Sequence, residues 1–195
     1  MNDTALQSLA GLLWRDGADP AGRQAYWILD GARDPDIVGL VRASGLEHAC
    51  LFSGALHPRL QAAAPYLVRL PAGAPASEAL LRRGWGKAWG ILTLAGPDVT
   101  FDAQRLHLKK FLRVKTEDGR TLAFRYYDPR VLNVYLPTCT NEEFLAFLGP
   151  LAWLLAETND GTHARLFERH ADGMRVRDAA LAAAPDAASA TGLHA

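Results

Sequence analysis

Short apolar runs alternate with helically spaced apolar positions through the first half of the chain. The runs at 26–29, 49–52, 66–70 and 90–94 have the length of buried strands. Between them Ile37, Val38, Leu40 and Val41 recur at helical spacing, followed by a short helical pattern over 60–64 and another at Leu80 and Leu81 behind a Ser77 start signal. A leading helix over 4–15 places Leu6, Leu9, Leu12 and Leu13 on one side. Strands alternating with helices predict an α/β core over 20–100, a central parallel or mixed sheet with flanking helices.

From residue 101 the pattern changes, which gives the α/β class mixed α+β features. Asp102 can cap a helix that buries Leu108, Phe111 and Leu112 and leaves Lys109 and Lys110 in water. A hairpin turns at Asp118-Gly119, and Leu122, Phe124 and Tyr126 alternate with Ala123, Arg125 and Tyr127, so its second strand should end at Tyr127. Asp128-Pro129 then repeats the helix-start device of Asp34-Pro35, with Asp as cap and Pro in the first turn. Thr140 and Glu143 form a capping box, with Cys139 and Phe144 as its hydrophobic staple, opening a helix of Phe144, Leu145 and Leu148. This gives Cys139 a structural role.

The last part is a smaller hairpin around Asp172-Gly173, with Met174 and Val176 alternating with Arg175 and Arg177, and an Ala-rich tail over 179–195 interrupted by Pro185. The expected organisation is one main domain over 1–156, made of the core over 20–100 and the helix and hairpin over 101–156, then a small C-terminal part over 157–195. A length of 195 residues and 49% apolar content suit that size.

Charge narrows the partners. The chain carries 21 Lys+Arg against 21 Asp+Glu, which argues against a dedicated polyanion binder, since phosphate neutralisation needs a cationic excess. Two cysteines, Cys50 and Cys139, cannot form a disulfide framework and favour a reducing compartment. Residues 1–14 have no cationic segment of the kind that opens a signal peptide, and no run approaches the roughly 20 apolar residues of a membrane span. The expectation is a cytoplasmic protein without a membrane partner.

Candidate chemistry is sparse. Six histidines show no HxH or HxxxH pairing and no CxxC occurs, so no metal site is expected. Ser53 lacks the first glycine of a nucleophile elbow, and Gly84, Gly86 and Gly90 do not make a nucleotide fingerprint. Of the acids in the segment ILDGARDPDI, Asp34 and Asp36 are explained by a helix start and only Asp30 is not. An enzyme alternative would need Asp30 with Asp34 or Asp128 in one cleft. A nucleic-acid alternative would need the stretch from Arg105 to Arg130, where basic residues exceed acids by three counted from Asp98. No catalytic residue and no cofactor is expected. The segment FRYYDPRVL over 124–132 is the most unusual: Arg125, Tyr126, Tyr127, Asp128 and Arg130 have the composition of an interface anchor.

With PYLVRLP over 65–71, LFSGALHPRL over 51–60 and GWGKAWGILTL over 84–94, that segment resembles the type VI secretion adaptor family known as domain of unknown function 4123. The likeness spans about 25–155. It implies a cytoplasmic chaperone or adaptor that binds an effector protein and helps load it onto the VgrG/PAAR spike, without enzyme activity, and a variable C-terminal part, here from about Glu157, that selects cargo. The expected partner contacts are Arg125, Tyr126, Tyr127, Asp128, Arg130, Trp85 and Trp89; Asp34, Asp128, Thr140 and Glu143 are expected as structural caps.

Overall fold

The computed structural model describes residues 1–14, 22–158 and 161–181. Seven strands form one sheet: β1 (Gln24–Asp30), β2 (His48–Cys50), β3 (Pro65–Leu70), β4 (Gly90–Ala95), β7 (Leu151–Thr158), β8 (His163–His170) and β9 (Gly173–Ala180), in the order β2-β3-β1-β4-β7-β8-β9. A separate two-stranded hairpin, β5 (Arg113–Lys115) and β6 (Thr121–Ala123), stands apart from it. The helices are α1 (Asp3–Trp14), α2 (Ile37–Ala43), α3 (Pro58–Ala62), α4 (Pro75–Gly84), α5 (Phe101–Lys109), α6 (Pro129–Tyr135) and α7 (Asn141–Leu148). The mixed α+β architecture and the C-terminal hairpin are as expected.

Strand direction departs from the parallel or mixed sheet expected, because every paired neighbour is antiparallel. The alternation of strand and helix is real, and β1 and β2, joined through α2, do run the same way. So do β3 and β4, joined through α4. In each case another strand occupies the slot between them, β3 in the first and β1 in the second. The helical crossover thus sets the relative direction of the strands it joins but leaves room for an antiparallel insert.

The two faces of β1 define two cores. Ala25, Trp27 and Leu29 point to the layer holding Leu9 of α1, Val41 of α2 and Leu81 of α4. Tyr26 and Ile28 point to the opposite layer, with Leu108 of α5, Leu132 of α6 and Phe147 of α7. This two-sided burial is why the strands read as continuous apolar runs rather than alternating ones. A bulge against Leu94/Ala95 re-phases β7, so that Leu151 and Leu154 both serve the second layer.

Several boundaries move. Thr100, not Asp102, caps α5, its hydroxyl accepting from the Ala103 N–H at 3.1 Å. Pro75 opens α4, so Ser77 sits in its first turn and donates to the Pro71 carbonyl at 3.0 Å. Asp34 folds its own turn by accepting from the Asp36 N–H at 2.9 Å, and α2 proper begins three residues later. The capping box of Thr140 and Glu143 is present, and Cys139 and Phe144 both pack in the second core. Past α7 the chain forms β7, a strand absent from the sequence reading. Gly149 ends the helix at φ +53° before it. The division expected at 156/157 therefore falls inside a strand, and β8 and β9 extend the same sheet. The tail from residue 182 lies outside the described residues.

Candidate functional site

The FRYYDPRVL segment carries two ion pairs whose carboxylates are buried and whose guanidiniums reach solvent. The second hairpin strand stops at Ala123, four residues short of expectation, and Arg125 to Asp128 form a turn closed by Asp128 N–H to the Arg125 carbonyl at 3.0 Å. The turn brings Tyr126 and Tyr127 both inward, where alternation on a strand would have separated them. Tyr126 is fully buried, donates to the Leu108 carbonyl at 2.9 Å and stacks edge-on against Phe147 at 5.3 Å. Burial raises the Tyr126 hydroxyl well above its ordinary pKa, and burial together with the Asp30 charge pushes Tyr127 up to about 12, so both stay neutral.

Trp85 and Trp89 are also buried. Trp85 donates to the Gly161 carbonyl at 2.7 Å, and Trp89 lies so close to Gly84 that a Cβ there would meet its ring at 2.4 Å. The aromatic anchors expected for a partner, Tyr126, Tyr127, Trp85 and Trp89, are thus core residues: large rings bury most area when enclosed, and the turn encloses them. Of that set, only Arg125 and Arg130 reach solvent.

Three buried carboxylates, Asp30, Asp128 and Glu157, lie around this turn, two of them in ion pairs. Asp30, at the end of β1, accepts from the Ala32 N–H at 3.0 Å and from the Arg125 guanidinium. Asp128 caps α6 through the Arg130 N–H at 3.0 Å and receives the Arg130 fork at 2.9 and 2.6 Å. Glu157, near the end of β7, accepts the Gly86 and Ala88 N–H groups, each at 2.6 Å. Arg33 donates to the Ala88 carbonyl at 3.2 Å and lies within the field of both Asp128 and Glu157. Burial alone would raise Asp128, but the Arg130 side chain and N–H outweigh it and hold the carboxyl below its ordinary value. Glu157 goes the other way: burial raises it despite its two N–H donors and Arg33.

Asp30 and Asp128 both act electrostatically on Tyr127 and Arg130, but each holds its own arginine, Arg125 for Asp30 and Arg130 for Asp128, while Asp34 is engaged with its own turn. Both oxygens of Asp30, Asp128 and Glu157 already accept hydrogen bonds; Asp30 ties β1 to the turn before α6, Glu157 ties β7 to the 85–89 loop, and the bonds from Asn133 to the Glu157 carbonyl and from Arg33 to the Ala88 carbonyl link these pairs to one another. No group of three His, Cys, Asp or Glu residues able to hold a metal occurs among the described residues. In the basic stretch Arg120, Arg125 and Arg130 are paired with acids, and Arg105 donates to the Cys50 carbonyl. Arg33 and Glu157 escaped the sequence reading; the one available signal was a single Glu at the end of the apolar run LAWLLAET.

No described helix is long and apolar enough to cross a membrane. No curated protein and no solved structure matches the chain. The family described as "Domain of unknown function (DUF4123)" matches residues 25–146, from the start of β1 into α7, and takes in every segment that carried the resemblance. That match covers well over half of the chain, which belongs to the DUF4123 family.

Proposed function

We propose that this protein is a cytoplasmic adaptor or chaperone that binds a type VI secretion effector and promotes its loading onto the VgrG/PAAR spike, without enzyme activity, cofactor or nucleic-acid partner. The observation that carries this reading is the family match over 25–146, joined to the resemblance of the same segments to secretion adaptors. The bonds of Asp30, Glu157, Arg33 and Asn133 support it as a scaffold: they tie β1, α6, β7 and the 85–89 loop to one another, the rigidity that a preformed binding surface needs. The second reading is a carboxylate enzyme, for which the common influence of Asp30 and Asp128 on Tyr127 and Arg130 speaks. Against it, neither carboxylate has an oxygen free of protein donors.

Co-expression with the effector, VgrG and PAAR proteins encoded beside its gene tests the adaptor reading. A stoichiometric complex with one of them is expected. Recovery of the chain alone from every pairing overturns it.

A further inference from the structure

A groove of about 740 Å³ opens between α3 with the loop before it, the end of α5, and the free-standing β5–β6 hairpin. Leu51, Phe52, Leu56, Leu60, Leu112 and Leu122 give it an apolar lining, and Leu60 and Leu122 are 48% and 45% exposed. Leucines left half in water on a five-residue helix, Leu60, and on a hairpin outside the main sheet, Leu122, mark a contact surface more than a core. The charged groups of the lining are Lys109, Lys110 and Arg113; no acid lines it. None of the three cations is in an ion pair among the described residues. On a chain whose charges balance overall, this is a local positive rim around an apolar floor.

Two occupants fit poorly. The described chain ends at Leu181, which packs in the opposite core layer, and residues 182–195 carry one carboxylate, Asp186, and one leucine. A single-stranded nucleic acid would look for stacking rings, and Phe52 is the one aromatic side chain in the lining. We propose that the groove docks an acidic amphipathic segment of a protein partner, with its apolar side chains on the leucines and its carboxylates against Lys109, Lys110 and Arg113. That the partner is an effector or spike component rests on the adaptor reading; the chemistry of the groove does not.

The test uses the full chain and two probes. The first is a fluorescent amphipathic peptide of Leu, Ala and Glu, compared with its Leu/Ala/Lys counterpart and with a single-stranded oligonucleotide. The acidic peptide should bind, weaken as ionic strength rises from about 0.1 to about 1 M, and lose about tenfold or more in affinity in K109E/K110E/R113E. Leu122→Ser, on an exposed hairpin strand, should weaken it while leaving Tm unchanged. Equal binding of acidic and basic peptides, or of the acidic peptide by wild type and charge-reversed protein with the same Tm, overturns the proposal, as does preferential binding of the oligonucleotide. The second probe is co-purification with the neighbouring effector, VgrG and PAAR proteins. Groove-dependent peptide binding without capture of the effector, VgrG or PAAR protein leaves the groove and removes the adaptor reading. Effector capture that survives the charge reversal does the opposite.

Discussion

Asp128 does two jobs with one side chain: it caps α6 and neutralises Arg130. Asp128→Ala should cost about 1–2 kcal/mol in denaturant unfolding, the range of a lost cap. The released Arg130 adds little, since its side chain is 61% exposed and returns to water. Asp128 and Glu157 also predict opposite pH effects. The Asp128 carboxyl titrates below its unfolded value, so its contribution is present above about pH 4 and is lost as pH falls through the lower folded value. Glu157 titrates above its unfolded value of about 4.5, so the fold gains from its proton below that pH and loses this as pH rises through the folded value. The stability of wild type relative to Glu157→Gln should therefore decline as pH rises from about 4 towards neutrality in urea titrations. A difference that is flat with pH would show that Glu157 titrates as it does in the unfolded chain.

At the scale of elements, local signals carried far where a short-range rule decides the outcome. The Thr140/Glu143 box is an i, i+3 pattern, needs no tertiary context and is present as read. Thr140→Ala should cost about 1 kcal/mol, read as a matching fall in unfolding free energy with unchanged far-UV circular dichroism at 25 °C. The late hairpin was legible for the same reason, although its turn falls at Ala171–Asp172, one residue before the Asp172-Gly173 expected, and Gly173 already pairs with His170. The second strand of the 113–123 hairpin was overextended because Phe124 to Tyr127 alternate in sequence, while burial of both tyrosines and the helix start at Asp128 require a turn there. β7 was missed because LAWLLAET is apolar on both faces, and periodicity alone does not separate a buried strand from a buried helix.

In the whole molecule, one sheet runs unbroken from β2 to β9. Phe167 and Leu166 of β8 enter opposite cores, so the late hairpin closes both layers of the domain at once. A chain truncated after Thr158 should therefore fail to give a cooperative thermal transition; a cooperative melt would show that the first 158 residues fold alone. The strand order and the ion pair of Asp30 were not legible, since both join residues far apart in the chain: β1 lies between β3 and β4, and Asp30 meets Arg125 across 95 positions. Aromatic composition pointed to a contact surface, whereas packing drew the rings inside and left the exposed leucines and cations of the groove. The adaptor account is tested most directly by reconstitution with the purified effector and VgrG–PAAR spike encoded nearby, measured by size-exclusion chromatography. The effector should comigrate with the spike when this protein is included and elute separately when it is omitted; equal comigration with and without it would contradict the account.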